Sequence, residues 1–208
     1  MVILGALLIG SYLLGSIPFG YLAGRLEGTD IRQAGSGNVG ATNVVRVLGK
    51  KYGYPVFVLD VLKGFGAVKI SMLLAPGEPS AWNSPATFGI LAAISSVLGH
   101  LYPPWLKFKG GKGVATSAGA LLALIPVATL IGIAVWIIVF WLTRYVSLAS
   151  VTAAVVLPMV ILVITWQDQN KAKPLVYSSA CVAAIVLWRH RSNLSRLMRG
   201  TEPRFTRK

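Results

Sequence analysis

Residues 34–43 read AGSGNVGATN and residues 107–117 read KFKGGKGVATS, and both segments concentrate residue types that hold anions. In the first, Gly35, Gly37 and Gly40 form a G-x-G-x-x-G pattern, with Asp60 twenty positions further on. On a strand-to-helix turn that pattern binds a dinucleotide. Here an apolar run and a charged turn precede it, and Asp60 lies inside a second apolar run, so the βαβ context is missing. The glycines keep a physical meaning all the same: they let backbone N–H groups turn toward an anion and let a ligand approach closely. Ser36, Asn38, Thr42 and Asn43 add hydrogen-bonding side chains, and Arg46 adds a bidentate donor for phosphate or carboxylate. The plainer reading is a flexible glycine turn carrying an arginine.

The second segment is not a Walker A motif, because that pattern needs glycine at 106 and Ser or Thr at 113, where Leu106 and Gly113 stand. Yet Gly110, Gly111 and Gly113 surround Lys112 just where an apolar helix begins. Free amides, a positive helix end and an ammonium group together suit a phosphate. A basic turn at a membrane face is the bland alternative.

Other polar residues stand inside or beside apolar runs. Asp60 and Lys63, at i and i+3, share a helix face. An unpaired charge at mid-membrane costs about 2.5–3.5 kcal/mol on insertion scales, so a mutually compensating pair is the expected role. His100 sits in VLGHLYPPW, where a structural or interfacial role is expected. His190 and Asn193 in RHRSN are spaced to share a helical face and to grip hydroxyls or phosphate oxygens. Glu202, the only acid in the basic tail, is expected to pair with a nearby arginine. No His/Cys/carboxylate cluster has metal spacing, so no metal and no cofactor is expected. The G-x-S-x-G elbow and the H-x-x-x-x-D acyltransferase pair are both absent from the sequence.

The elements that must position these residues are membrane helices. The 208-residue chain is 55% hydrophobic and 12% charged with mean hydropathy +0.68, where soluble domains carry about a quarter charged residues. Cys181, the single cysteine, rules out an intrachain disulfide and reads as a small core or lipid-facing residue. The first basic residue is Arg25, after the first apolar run, so the start does not read as a secretory signal. Apolar runs cover about 2–24, 54–76, 86–106, 114–143, 150–166 and 175–188, with a polar loop at 25–53 and a basic tail from about 189. Trp82, Trp105, Trp141, Trp166 and Trp188 fall near the expected interfaces, as an aromatic belt does.

The run at 114–143 decides the topology. As one helix it would be roughly 45 Å long, against a hydrocarbon core of about 30 Å. Two short helices turning near Pro126 instead put sixteen of the twenty Lys and Arg residues on one side, including all seven of the tail. Positive charge collects on the cytoplasmic side. The expectation is an all-α polytopic membrane protein of seven transmembrane helices, some short, in one domain over 1–208, with the N-terminus outside and the C-terminus cytoplasmic. The segment 114–125 reaches only about 18 Å as a helix, and a short helix of this kind frames a cavity at one membrane face. The net charge of +14 reads most plainly as topology, and more sharply as a match to anionic lipid or an anionic small substrate. It is interleaved with the spans, which argues against nucleic acid.

Taken together, GSIPFGYLAGR at 15–25, GSGNVGATNVVRVLGKKYG at 35–53, LDVLKG at 59–64, VLGHLYPPWLKFKGGKGVAT at 97–116, RYVSLAS at 144–150 and RHRSNLSRL at 189–197 resemble the bacterial integral-membrane acyl-phosphate:glycerol-3-phosphate acyltransferases, the PlsY-type family. The resemblance runs along nearly the whole chain. It implies transfer of a fatty acyl group from acyl phosphate to the 1-hydroxyl of glycerol 3-phosphate, giving lysophosphatidic acid and phosphate in phospholipid synthesis at the bacterial inner membrane. It further implies an active site facing the cytoplasm and an upstream enzyme that makes acyl phosphate. By the same resemblance Ser36, Arg46 and Lys112 bind phosphate groups, Ser147 or Ser150 adds donors from the next cytoplasmic turn, and His190 and Asn193 hold glycerol 3-phosphate. The proton acceptor is either the acyl phosphate's own oxygen or His190. A transporter of organic phosphate is the rival reading, and a non-catalytic protein that binds anionic lipid is a third. The absence of an inverted repeat and the gathering of the polar motifs at one membrane face argue against the transporter.

Overall fold

A computed structural model describes residues 2–76, 84–167 and 169–205, with the side chains of 169–172 left aside. Trp82, Arg207 and Lys208 lie outside the described residues, as does the side chain of Lys171. The chain divides into two compact units, Met1–Leu124 and Ile125–Lys208.

The first unit holds α1 (Val2–Ser16), α2 (Phe19–Leu26), α3 (Ala41–Leu48), α4 (Lys50–Leu73), α5 (Pro85–Leu101), a single 3-10 turn at Pro104–Leu106, and α6 (Val114–Leu124). The first apolar run is therefore broken. Pro18 has no N–H to give and disfavours helical geometry before it, so α1 stops at Ser16 and α2 restarts at Phe19. The polar loop at 25–53 contains a helix that hydropathy does not reveal. Its sequence ATNVVRVL is short and amphipathic, and Gly49 at φ +87° separates it from α4. At α5 the Ser84 hydroxyl accepts the Thr87 N–H at 3.2 Å with Pro85 at the first helical position, a standard helix start.

Helix α4 is the axis of this unit and packs against α1, α2, α3, α5 and α6. Its contact with α6 is backbone to backbone. A Cβ on Gly64 would strike the Thr116 carbonyl, and one on Gly119 would strike the Val61 carbonyl. Small residues at such crossings let helices approach where no water is expelled to drive them together. The buried set fits that regime: Val68, Ala93, Ala120 and Ala123 form one core, and Ile31, Val39, Val44, Val56 and Leu106 form another beneath the polar loop.

The second unit holds α7 (Pro126–Thr143), α8 (Val146–Ile164), α9 (Gln169–Arg189) and α10 (Arg191–Met198). Helix α6 ends at Leu124 and α7 begins at Pro126, with Ile125 out of helical geometry, so 114–143 is two helices. Arg144 at φ +63° ends α7. Helix α8 packs on both α7 and α9, and α10 touches α8 and α9. The tail expected from 189 is in part helical, because RSNLSRLM is another short amphipathic segment. Beyond it the chain straps back: the Phe205 N–H donates to the Arg144 carbonyl at 2.9 Å, and its ring meets Phe140 edge-on. Leu130, Ile137, Trp141, Val155 and Met159 are exposed on α7 and α8.

Among the described residues, four segments are long and apolar enough to cross a membrane: Val2–Leu26, Pro85–Leu106, Pro126–Thr143 and Val146–Ile164. Helix α4 matches them in length but carries Lys50, Lys51, Asp60, Lys63 and Lys69, and α6 is apolar but short.

The α4–α6 contact makes two neighbouring glycines respond oppositely. Gly66 faces open space, so Gly66→Ala should hold or raise the thermal midpoint in detergent, alanine being favoured by up to about 1 kcal/mol in a helix. Gly64→Ala should lower it, since overpacking costs about 1–3 kcal/mol. Equal responses from the two variants would contradict this packing.

Candidate active site

The polar loop of the first unit is braced from inside. The two Asn43 N–H donors go to the carbonyls of Ile31 and Ala34, each at 3.1 Å, and its oxygen accepts the Ser36 N–H at 2.8 Å. Asn43 is 2% exposed. Its assignment to phosphate is corrected here, because both donors are spent and only an acceptor remains, which a phosphate does not seek. Asn38 is also turned to the loop, its oxygen taking the Gly40 N–H at 2.8 Å. The Gly37 N–H goes to the Ala34 carbonyl. Gly35 and Gly37 lie at φ +60° and +68°, so their glycines serve the turn itself. Asp30 and Arg32 clamp the start of the loop, and the Arg32 hydrogen bonds hold the Asp30 carboxyl down to about 2. What this frame presents outward is Ser36 and Arg46, both exposed, with Thr42 half-buried on the first turn of α3.

The glycine-lysine loop is likewise tied down. The Gly110 N–H donates to the Leu101 carbonyl at 2.9 Å and the Gly111 N–H to the His100 carbonyl at 3.1 Å. These amides face the end of α5, so the expectation that they cradle phosphate is corrected. Lys107 and Phe108 are left-handed, at φ +53° and +60°, and turn the chain back from the 3-10 segment. Gly113 at φ +82° then starts α6, its carbonyl accepting the Ser117 N–H at 2.7 Å. Lys112 is half-buried at that start, where the helix end is positive. Ser117, which the sequence did not single out, has a buried hydroxyl with no partner among the described residues. Only its place one turn into α6 could have flagged it.

Beneath this loop lies a buried cluster. Lys63 Nζ meets Asp60 Oδ1 at 2.8 Å and also donates to the Ile17 carbonyl at 2.8 Å. The expected i,i+3 pair is present. His100 joins it: Nδ1 stands 3.6 Å from Asp60 Oδ1 and 3.2 Å from the Thr116 hydroxyl. Helical spacing finds Lys63 but not His100 or Thr116, which come from other helices.

In the second unit Glu202 gathers the polar residues. Its Oε1 accepts from Ser147 and from Asn193, each at 2.7 Å, and its Oε2 accepts from Arg196 at 2.8 Å. The expected arginine partner is present, with two more donors. The Ser147 hydroxyl thus donates inward. The Ser150 hydroxyl donates to the Val146 carbonyl and accepts the Trp136 indole N–H, so its reading as a phosphate donor is corrected too. His190 does not sit on the same helix as Asn193 but at the break between α9 and α10. Its Nδ1 lies 2.8 Å from the Val186 carbonyl, which only accepts, so in the neutral ring Nδ1 carries the proton and Nε2 is the basic nitrogen. Among the described residues no group of His, Cys, Asp and Glu could hold a metal ion.

Burial alone would push the Glu202 carboxyl up. Hydrogen bonds from Asn193, Ser147 and Arg196, with the Arg196 charge, outweigh it and hold the group below its usual 4.5. A folded-state value below the unfolded one adds stability that is complete above about 4.5 and is lost as pH falls through the lower value. Glu202→Gln should therefore melt below the parent at neutral pH, and the gap should close in acid. A gap that does not change with pH would remove the carboxylate from this account.

Comparison with known proteins agrees with this arrangement. The family model for glycerol-3-phosphate acyltransferase matches residues 5–200. The glycerol-3-phosphate acyltransferase of Aquifex aeolicus is 45% identical over 199 residues, covering 96% of this chain and 97% of its own. That of Thermosynechococcus vestitus is 47% identical over 210 residues, covering 98% and 95%. Two crystal structures of PlsY, an integral membrane glycerol 3-phosphate acyltransferase, superpose closely. The glycerol 3-phosphate form gives TM-score 0.86 at 43% identity, covering 98% of this chain and 96% of that one. The lysophosphatidic acid form gives 0.84 at 42%, covering 98% and 95%. The chain belongs to the glycerol-3-phosphate acyltransferase family.

Proposed function

We propose that this protein transfers a fatty acyl group from an acyl phosphate to the 1-hydroxyl of glycerol 3-phosphate. The observation that carries the reading is Lys112, half-buried at the positive end of α6 in a loop pinned to α5. An ammonium group in that setting suits a phosphate. The relatives are named for the same acceptor, and the PlsY structures are described in glycerol 3-phosphate and lysophosphatidic acid forms. The family match over residues 5–200 favours an enzyme over a transporter.

The chemistry needs no acyl-enzyme. The glycerol hydroxyl oxygen attacks the acyl carbonyl carbon, the carbon–oxygen bond to phosphate breaks, and phosphate leaves with the electron pair. Ser36, Arg46 and Lys112 hold phosphate oxygens and offset the growing negative charge. Alignment of two held substrates supplies much of the remaining acceleration. His190 and Asn193 hold glycerol 3-phosphate, and the hydroxyl proton passes to the departing phosphate. His190 is the competing acceptor, since its Nε2 carries the lone pair when the ring is neutral. Seven membrane helices, N-terminus outside and C-terminus cytoplasmic, follow from the distribution of Lys and Arg. They put the polar loops on the cytoplasmic side of the bacterial inner membrane, where an upstream enzyme would supply the acyl phosphate.

Purified protein given palmitoyl phosphate should release phosphate only when glycerol 3-phosphate is present. Release that ignores glycerol 3-phosphate would refute the transfer. Lys112→Ala should lose at least about 100-fold while still inserting, the scale of removing one oxyanion donor. His190→Gln should raise KM for glycerol 3-phosphate more than it alters the pH profile. A lost basic limb with unchanged KM would make His190 the proton acceptor instead.

A further inference from the structure

Asp60, Lys63 and His100 are three titratable side chains that acyl transfer leaves unused, and all are nearly fully buried. An ion pair taken out of water commonly stabilises a fold no better than apolar residues of the same volume. Helix α4 packs on α6 through glycine and small residues, and the pair is a polar tie to its other neighbours. What it adds is direction. Asp60 is held on one side by Lys63, itself anchored on the Ile17 carbonyl, and faces His100 Nδ1 on the other. At 3.6 Å this second contact is electrostatic rather than a hydrogen bond.

His100 in turn holds the Lys112 loop from both ends. Its carbonyl receives the Gly111 N–H, one residue before Lys112. Its Nδ1 meets the Thr116 hydroxyl, four residues after. Its ring lies against Gly111 so closely that a Cβ there would fall on Nε2. The loop thus rests on the imidazole, and the imidazole rests between Asp60 and Thr116.

We propose that His100, seated between Asp60 and Thr116, is a positioning residue for Lys112, fixing the glycine-lysine loop at the start of α6 so that the ammonium meets its phosphate in one place. This rests on the reading of Lys112 as a phosphate ligand. A displacement of about 1 Å at such a group costs on the order of 100-fold in rate.

The test is a double-mutant cycle on the full-length protein in detergent, read as kcat/KM for phosphate release from palmitoyl phosphate and glycerol 3-phosphate. His100→Ala removes the ring and leaves Asp60 and Lys63 paired. Lys112→Arg keeps the charge, alters the fit and leaves a measurable rate. His100→Ala should cost about 10–100-fold in the native background. It should cost less than about threefold beside Lys112→Arg, because a loop that no longer presents lysine gains little from being held. Thr116→Val removes one hydroxyl and should show the same coupling more weakly, and it carries the cycle if His100→Ala does not fold. Equal losses in the two backgrounds, or activity that merely follows the folded fraction, would overturn the proposal. A Lys112→Ala enzyme with normal turnover would instead overturn the phosphate reading, and this inference with it. A dead Lys112→Ala enzyme with no coupling to His100 overturns the positioning role alone.

Discussion

A lysine ammonium and an aspartate carboxylate sit in the middle of the helix that the first unit is built around, and neither is stable there unless it is met from outside its own helix. Lys63 satisfies Asp60 along α4, and it also donates to the Ile17 carbonyl, at the point where Pro18 interrupts the first apolar run. Asp60 keeps acceptor capacity that His100 of α5 faces. One buried pair therefore ties the break between α1 and α2, the middle of α4 and the end of α5 together. The glycines at the α4–α6 crossing follow from the same constraint, since α6 must lie close for Thr116 to reach His100.

That arrangement changes what the glycine-rich loops are for. Amides of Ser36, Gly37, Gly110 and Gly111 all go to protein acceptors. The glycines supply turns and close contact, and their amides hold the loops in shape. In the proposed reaction the ligand is met instead by the exposed Ser36 and Arg46 side chains and by half-buried Lys112 at the start of α6. An anion site made this way depends on a rigid support, because side chains on loose loops would pay the ordering entropy when substrate binds.

Hydropathy and charge made the membrane character legible, and helix length against bilayer thickness made the break near Pro126 legible as well. Spacing alone paired Asp60 with Lys63, and the scarcity of acids in the tail pointed Glu202 at an arginine. Helices α3 and α10 were not visible because ATNVVRVL and RSNLSRLM are too short and too polar to stand out beside apolar runs. The direction of the Gly110 and Gly111 amides was not visible either. Their acceptors are the carbonyls of Leu101 and His100, brought back by a turn through two left-handed residues that nothing in a glycine count foretells. Asn43 misled for a related reason: its donors fit a phosphate equally well until the carbonyls of Ile31 and Ala34 claim them.

The two units use one device. Of the four acids among the described residues, Asp60 and Glu202 are buried, and each is met by polar groups: Lys63 and, at 3.6 Å, His100 for the first, Ser147, Asn193 and Arg196 for the second. A carboxylate close to a bound phosphate repels it. In the proposed reaction the carboxylate stands behind the donors, where an acceptor fixes the rotamers of the groups in front. It also lowers the field only weakly where twenty Lys and Arg residues outnumber six acids. The excess of positive charge attracts anions without discrimination, whereas the two buried carboxylates determine where particular donors stand. A chain whose cations served only topology would have no reason to bury its scarce acids at these points.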